Sequence, residues 1–358
     1  DIKPLDDAAA MSAYICDGEK RALGLGNRGP ARFDDNGKLR QDILDAYWRC
    51  GFYIFESVLG NEELTNIEAD LFEILGRLPA EKDAILDAKG RPALASDCEA
   101  PTLFWSKPLG DPFGATDQAN GRHPVKMPEP TAAPGAPKEV VYLILGSLQF
   151  SEACLRLYGH PDLLRIAASI NGNDFTPFSE ALFIKEPGRG ASVAWHRDGV
   201  THWEDPDWDQ GTHGYNTMAQ LFGCTPANGV WVVPGTHKLR NVEIAKMVSA
   251  AGSPLLPNAV PMICAPGDVA ICNRQAVPLE ELHQLSTPRV HLTPARGRTG
   301  AEGRQGAALA RHPGIEVSPH HNRTLLMTSP SYKVRHGCKH FPLHRGLRPR
   351  RRRVRGNK

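Results

Sequence analysis

A chain of 358 residues, 41% of them apolar, is long enough to bury a sizeable core as one large domain or two small ones, and no stretch approaches the ~20 apolar residues of a membrane helix. The formal charge of +2 hides an asymmetry: residues 333–358 carry eleven Lys and Arg and no acid, which leaves 31 basic against 40 acidic residues before them. Eight cysteines without a CxxC or finger spacing argue against a zinc finger and for reduced thiols in a cytoplasmic protein, and no secretory signal pattern opens the sequence.

In chain order, residues 1–37 read as an irregular segment. Lys38 to Cys50 reads as an amphipathic helix, with Leu39, Ile43, Leu44 and Tyr47 at helical spacing and Gly51 as its stop. Phe52 to Phe55 reads as a strand, and a second helix starts near Asn61, with Leu64, Ile67, Leu71 and Leu75 on one face. Residues 88–138 are rich in Pro, Gly and Ala yet carry Phe104, Trp105 and Phe113. A lid over a pocket and a draped surface segment both fit such a loop. Residues 139–169 read as helix, the apolar run at 140–148 being a buried helical segment. Within them Asp162 of His160-Pro161-Asp162 reads as a helix cap.

From 171 the pattern changes to short strands and turns. Ala181 to Ile184 leads to Lys185 and the turn Pro187-Gly188-Arg189-Gly190, then to a strand with His196 and Asp198. Further strands are read at Thr217 to Cys224, Val230 to Val233 and Val269 to Cys272, with Asn228-Gly229 as a hairpin signal. Helices followed by many short strands predict a mainly β chain with α: a sandwich or jelly roll flanked by N-terminal helices.

Ala194-Trp195-His196-Arg197-Asp198-Gly199 is the stretch with the most chemistry. On a strand, residues two apart face the same side, so His196 and Asp198 present an imidazole and a carboxylate together. That is two-thirds of the 2-His-1-carboxylate set that holds non-haem Fe(II) and leaves positions open.

With Trp195-His196-Arg197-Asp198-Gly199, Asn228-Gly229-Val230-Trp231-Val232-Val233-Pro234-Gly235-Thr236-His237 and Pro266-Gly267-Asp268-Val269 in this order, the chain resembles the phytanoyl-CoA dioxygenase family, which includes ectoine hydroxylases, over residues 38–277. The resemblance implies a double-stranded β-helix, Fe(II) as metal, 2-oxoglutarate as cosubstrate, and O₂ with a small-molecule substrate as partners. It implies decarboxylation of 2-oxoglutarate to succinate coupled to hydroxylation of an unactivated C–H. Related halogenases lack the carboxylate, so Asp198 points to hydroxylation.

The family places its distal histidine where this chain has Pro278, and Arg289 stands at the spacing of the family's 2-oxoglutarate arginine. An arginine fork pairs bidentately with a carboxylate. Residues 278–358 are divergent and rich in Arg, Pro and His. Three readings stay open: His283 takes the third iron position, the site has lost its distal ligand and the jelly roll only binds, or the sequence after 277 is out of register with an ancestral frame. Lys185 and Gln220 are candidates for contacting 2-oxoglutarate, and Tyr215, Asn216 and Thr217 for lining the pocket. His202, Trp203, Glu204, Asp205, Asp207, Trp208 and Asp209 form an acidic, aromatic loop at the substrate mouth or in solvent. His237 reads as structural, and His320-His321 as an adventitious metal pair. The basic tail invites a nucleic-acid reading, but no aromatic interleaving or recognised module supports it.

Overall fold

The computed structural model describes residues 8–115, 122–177, 180–186, 188–198, 214–239, 242–280 and 324–333. Among these, six helices and twelve strands build two sheets that face each other, with helices on both outer surfaces. The first helix, α1 (Ala8–Leu23), is followed by β1 (Arg28–Gly29), so the irregular reading of residues 1–37 is corrected for that part. The helix over Gln41–Cys50 (α2) ends as expected: Gly51 sits at φ 86° and its N–H caps the Tyr47 carbonyl. β2 (Phe52–Phe55) and α3 (Asn61–Gly76) fall where the periodicity puts them.

β3 (Leu103–Ser106) and β4 (Val140–Leu145) pair antiparallel. Most of the run at 140–148 is therefore a strand and not a buried helix, and only its end enters a single 3-10 turn over Ser147–Gln149. A short apolar run has no period to separate the two, and here the β-branched Val140, Val141 and Ile144 side with the sheet. Two short helices follow, α4 (Glu152–Tyr158) and α5 (Pro161–Asn171). The cap of α5 is His160, whose ring Nδ1 accepts the Asp162 N–H at 3.2 Å, with Pro161 in the first turn; Asp162 itself is inside the helix.

The remaining elements are β5 (Phe175–Pro177), β6 (Ala181–Lys185), β7 (Gly214–Gln220), β8 (Val230–Val233), α6 (Ile244–Ala251), β9 (Val260–Pro261), β10 (Val269–Asn273), β11 (Val277–Glu280) and β12 (Thr324–Lys333). The large sheet runs β1-β2-β10-β7-β12-β6-β4-β3, with β5 beside β12, and the small sheet runs β11-β8-β9. β7 and β8 lie in different sheets, so Asn228-Gly229 does not close a hairpin. Asn228 and Gly229 instead turn back onto the Thr225 carbonyl, and the chain crosses from one sheet to the other. The sheets also extend past 277: β11 and β12 both come from the C-terminal region, and β12 stands mid-sheet between β7 and β6.

Alternation along each strand sorts its side chains into layers. Met218, Val230, Val232, Val260, Ala270 and Cys272 fill the space between the sheets. Tyr215, Tyr53, Phe55 and Ile271 pack outward on α2 and α5, and Trp231, Val233, Val277 and Leu279 pack outward with α6. Trp231 is fully buried, stacks on Tyr14 of α1 at 4.6 Å and donates from Nε1 to the Pro226 carbonyl. Gly18 lets α1 approach this ring, because a Cβ there would lie 2.3 Å from Trp231 Cη2. Gly267 has φ +89°, and a Cβ on it would meet the Leu59 carbonyl at 2.7 Å. Asp268 beside it accepts the Ser57 and Ala265 N–H groups, each at 2.8 Å. Two of the three sequence motifs are thus packing and turn devices.

Candidate active site

The stretch 194–198 is irregular backbone and not the expected strand. It runs beside β11, where the His196 N–H donates to the Pro278 carbonyl at 3.1 Å. Alternation survives without the strand. Trp195 points into the core under α6 and donates from Nε1 to the Pro254 carbonyl at 2.7 Å. Arg197, also buried, donates from Nη2 to the carbonyls of Thr236 and Leu239 at 2.8 and 2.7 Å, and burial pushes its pKa down to about 10. These two anchors turn His196 and Asp198 the other way. His196 Nε2 and Asp198 Oδ1 come within 3.4 Å of each other, with the imidazole 4% and the carboxylate 24% exposed.

The far side of each group is held. His196 Nδ1 lies 2.8 Å from the Ala194 carbonyl, which can only accept, so Nδ1 carries a proton and in the neutral ring the Nε2 lone pair points toward Asp198. Asn216 on β7 donates from Nδ2 to Asp198 Oδ2, and Arg274 Nη1 donates to Asn216 Oδ1 at 3.2 Å. Burial opposes the charge on Asp198, but the His196 ring in its protonated form and the guanidiniums of Arg274 and Arg122 outweigh it and hold the carboxyl well below the usual carboxylate range.

Part of the long loop reaches this pair. The His123 ring stacks on His196 with centroids 4.4 Å apart, Phe113 stacks on His123 at 5.1 Å, and Tyr142 meets Phe113 edge-on at 5.8 Å. Asp111 organises the loop by accepting the N–H groups of Phe113, Gly114 and Met127. Burial, helped by His196 and Arg122, lowers the His123 pKa to about 3, so the ring is neutral. Sequence reading did not single out His123: a histidine in a Pro- and Gly-rich loop carries no periodicity or spacing that marks it.

Of the other candidates, Lys185 is buried at the end of β6 and donates from Nζ to the Ala191 carbonyl at 2.9 Å. Gln220 is buried on β7, on the same face as Asn216 and Met218, and among the described residues its Oε1 meets no hydrogen-bond donor. Asn216 lines the site, whereas Tyr215 packs outward against α2; Thr217 lies on the Tyr215 face of the strand. His237 packs over Gly51, with Nε2 3.0 Å from the Trp48 carbonyl. His283, Arg289, the 202–209 loop and His320-His321 lie outside the described residues. Among the described residues, no three His, Cys, Asp or Glu side chains are grouped to hold a metal. Residue 278 pairs with Val232, whose side chain fills the space between the sheets, so position 278 faces that space beside His196. The donors on hand therefore fit two corners of a metal site. No described helix is long and apolar enough to cross a membrane.

The family model for phytanoyl-CoA dioxygenase (PhyH) matches residues 47–275. No curated protein matches the sequence. Among solved structures, AviO1 from Streptomyces viridochromogenes Tue57 is 19% identical with a TM-score of 0.47, over 85% of this chain and 96% of that one. EctD from S. alaskensis, solved with 2-oxoglutarate and 5-hydroxyectoine, is 15% identical with a TM-score of 0.49, over 85% and 79%. HygX from Streptomyces hygroscopicus, solved with nickel and 2-oxoglutarate, is 12% identical with a TM-score of 0.45, over 82% and 87%.

Proposed function

Because the chain belongs to the phytanoyl-CoA dioxygenase family, and so is a non-haem Fe(II)- and 2-oxoglutarate-dependent dioxygenase, we propose that it hydroxylates an unactivated C–H of a small molecule inside a double-stranded β-helix formed by its two sheets. The observation that carries this reading is the convergence of His196 Nε2 and Asp198 Oδ1 to 3.4 Å in the space between the sheets. Ferrous iron held by His196 and Asp198 would, with 2-oxoglutarate, supply the oxidising power, one oxygen atom of O₂ going to the substrate and the other to succinate, with loss of CO₂.

The chain's own residues prepare the place for that chemistry. The Ala194 carbonyl keeps a His196 proton on Nδ1, so Nε2 would be the donor to the metal. Asp198 stays ionised at neutral pH and offers Oδ1. The stack of His123, Phe113 and Tyr142 covers the His196 ring and keeps bulk water off that face. Lys185 and Gln220 face inward from β6 and β7 and, with Arg289, are our candidates for orienting 2-oxoglutarate. His283 is our candidate for the third iron ligand.

One observation favours a second reading, a jelly-roll protein that binds without catalysis: Pro278 stands where the family has its distal histidine. Anaerobic titration with Fe(II) and 2-oxoglutarate separates the two. The oxygenase reading expects a weak visible charge-transfer band, with succinate formed once air is admitted, and loss of both in His196→Ala and Asp198→Ala. No band and no succinate from the unaltered chain would leave the binding protein.

A further inference from the structure

The carboxylate at 198 has two oxygens, and the structure gives them different neighbours. Oδ1 faces His196 Nε2 at 3.4 Å. Oδ2 accepts from Asn216 Nδ2. The amide of Asn216 cannot turn round: a guanidinium only donates and a carboxylate only accepts, so Oδ1 must face Arg274 and Nδ2 must face Asp198.

Arg274 is itself fixed by backbone. It occupies the tight turn after β10, in which the Ala276 N–H donates to the Asn273 carbonyl and the Gln275 N–H to Asn273 Oδ1. Its own N–H donates to the Gly214 carbonyl at 2.9 Å, at the start of β7, the strand that carries Asn216. Asn216 pairs directly with Cys272 across β7 and β10, so the place of the amide beside the turn that carries Arg274 is set by sheet register.

We propose that Asn216, oriented by Arg274, is a positioning residue that holds Asp198 to a single metal-facing oxygen. The inference rests on the reading of His196 and Asp198 as metal ligands. Its consequence concerns coordination number. A carboxylate released from Asn216 is free to bring its second oxygen onto the metal and occupy a position that a bidentate cosubstrate needs. Asn216 then acts on cosubstrate binding without touching the cosubstrate.

The test uses the full chain and Co(II), whose visible bands report coordination number, followed by 2-oxoglutarate. Asn216→Leu removes the amide at nearly constant size. Asn216→Asp keeps size and polarity but cannot donate, and serves where the leucine variant does not fold. Outer partners of metal ligands change metal affinity by about 10–100-fold. The expected result is Co(II) binding weakened within that range, an altered Co(II) spectrum before any cosubstrate is added, and at least ~10-fold weaker 2-oxoglutarate binding to the Co(II) form. Arg274→Met should shift the same bands, and the double variant Asn216→Leu/Arg274→Met should lose no more than Asn216→Leu alone, because Arg274 acts through the amide.

Variants that match the unaltered chain in Co(II) affinity and spectrum would overturn the proposal and leave the metal reading standing. Strictly additive losses would overturn the part given to Arg274. Failure of the unaltered chain to bind Co(II) would overturn the metal reading, and this inference with it.

Discussion

Replacing Pro278 with histidine tests the corner of the site that sequence and structure leave in dispute. The backbone of residue 278 is one hydrogen bond from that of His196, and its side chain shares a face with Val232, between the sheets. An imidazole introduced there enters a buried space, where burial disfavours its charge and keeps it neutral and able to ligate. Four-donor zinc sites are held by roughly 10–16 kcal/mol, so one added donor is worth about 3 kcal/mol, on the order of a hundredfold in Kd. Repacking around a larger ring costs about 1–3 kcal/mol of stability and takes back part of that gain. Pro278→His should therefore bind Co(II) ~10- to 100-fold more tightly than the unaltered chain. Calorimetric titration reads this, with Pro278→Ala as the control for loss of the proline ring. If Pro278→His binds no better than Pro278→Ala while His283→Ala loses the metal, the reasoning about position 278 is refuted and His283 holds the corner.

Three further outcomes check the packing. Gly18→Ala should destabilise the fold by about 1–3 kcal/mol in urea unfolding, because overlap with the buried Trp231 ring outweighs the ~1 kcal/mol that alanine gains in a helix; a neutral or stabilised variant would mean that α1 is not seated there. Asp268→Ala leaves two backbone N–H groups without their carboxylate and should cost about 3 kcal/mol, read as a lowered Tm. His237 has its pKa lowered to about 4, first by burial. The unfolded chain therefore takes up that proton more readily. This contribution to stability is full above about pH 6.5, falls as pH drops toward 4, and amounts to about 2 kcal/mol lost at pH 5. His237→Gln should flatten the stability–pH profile between 7 and 5 by that amount, and an unchanged slope would show that another group carries it.

What the sequence made legible is what local chemistry specifies. The α2 stop at Gly51 follows from a left-handed cap, and the α3 stripe from a 3.6-residue period. His196 and Asp198 end on one side because neighbours two apart alternate, and the buried Trp195 and Arg197 take the other side even where regular strand geometry fails. What stayed hidden depends on pairing at a distance. The run Val140–Leu145 has no period to read, and only a place beside β3 and β6 makes it a strand. Asn228-Gly229 has hairpin chemistry, but register sends β7 to β10 and β12 and leaves β8 to the other sheet. His123 arrives from a loop whose course is set by Asp111. Asn216 could be named as a pocket residue from alternation alone, but its bond to Asp198 could not.

The place of β12 sets an order of events for a chain made from its N-terminus. Until Thr324–Lys333 has been synthesised, β6 and β7 have no common neighbour, and the large sheet is two part-sheets with a raw edge on each side of a seam. A nascent or truncated chain ending before this strand would present those edges to other chains, so deletions that remove Thr324–Lys333 should yield aggregates and not merely a protein without its basic tail.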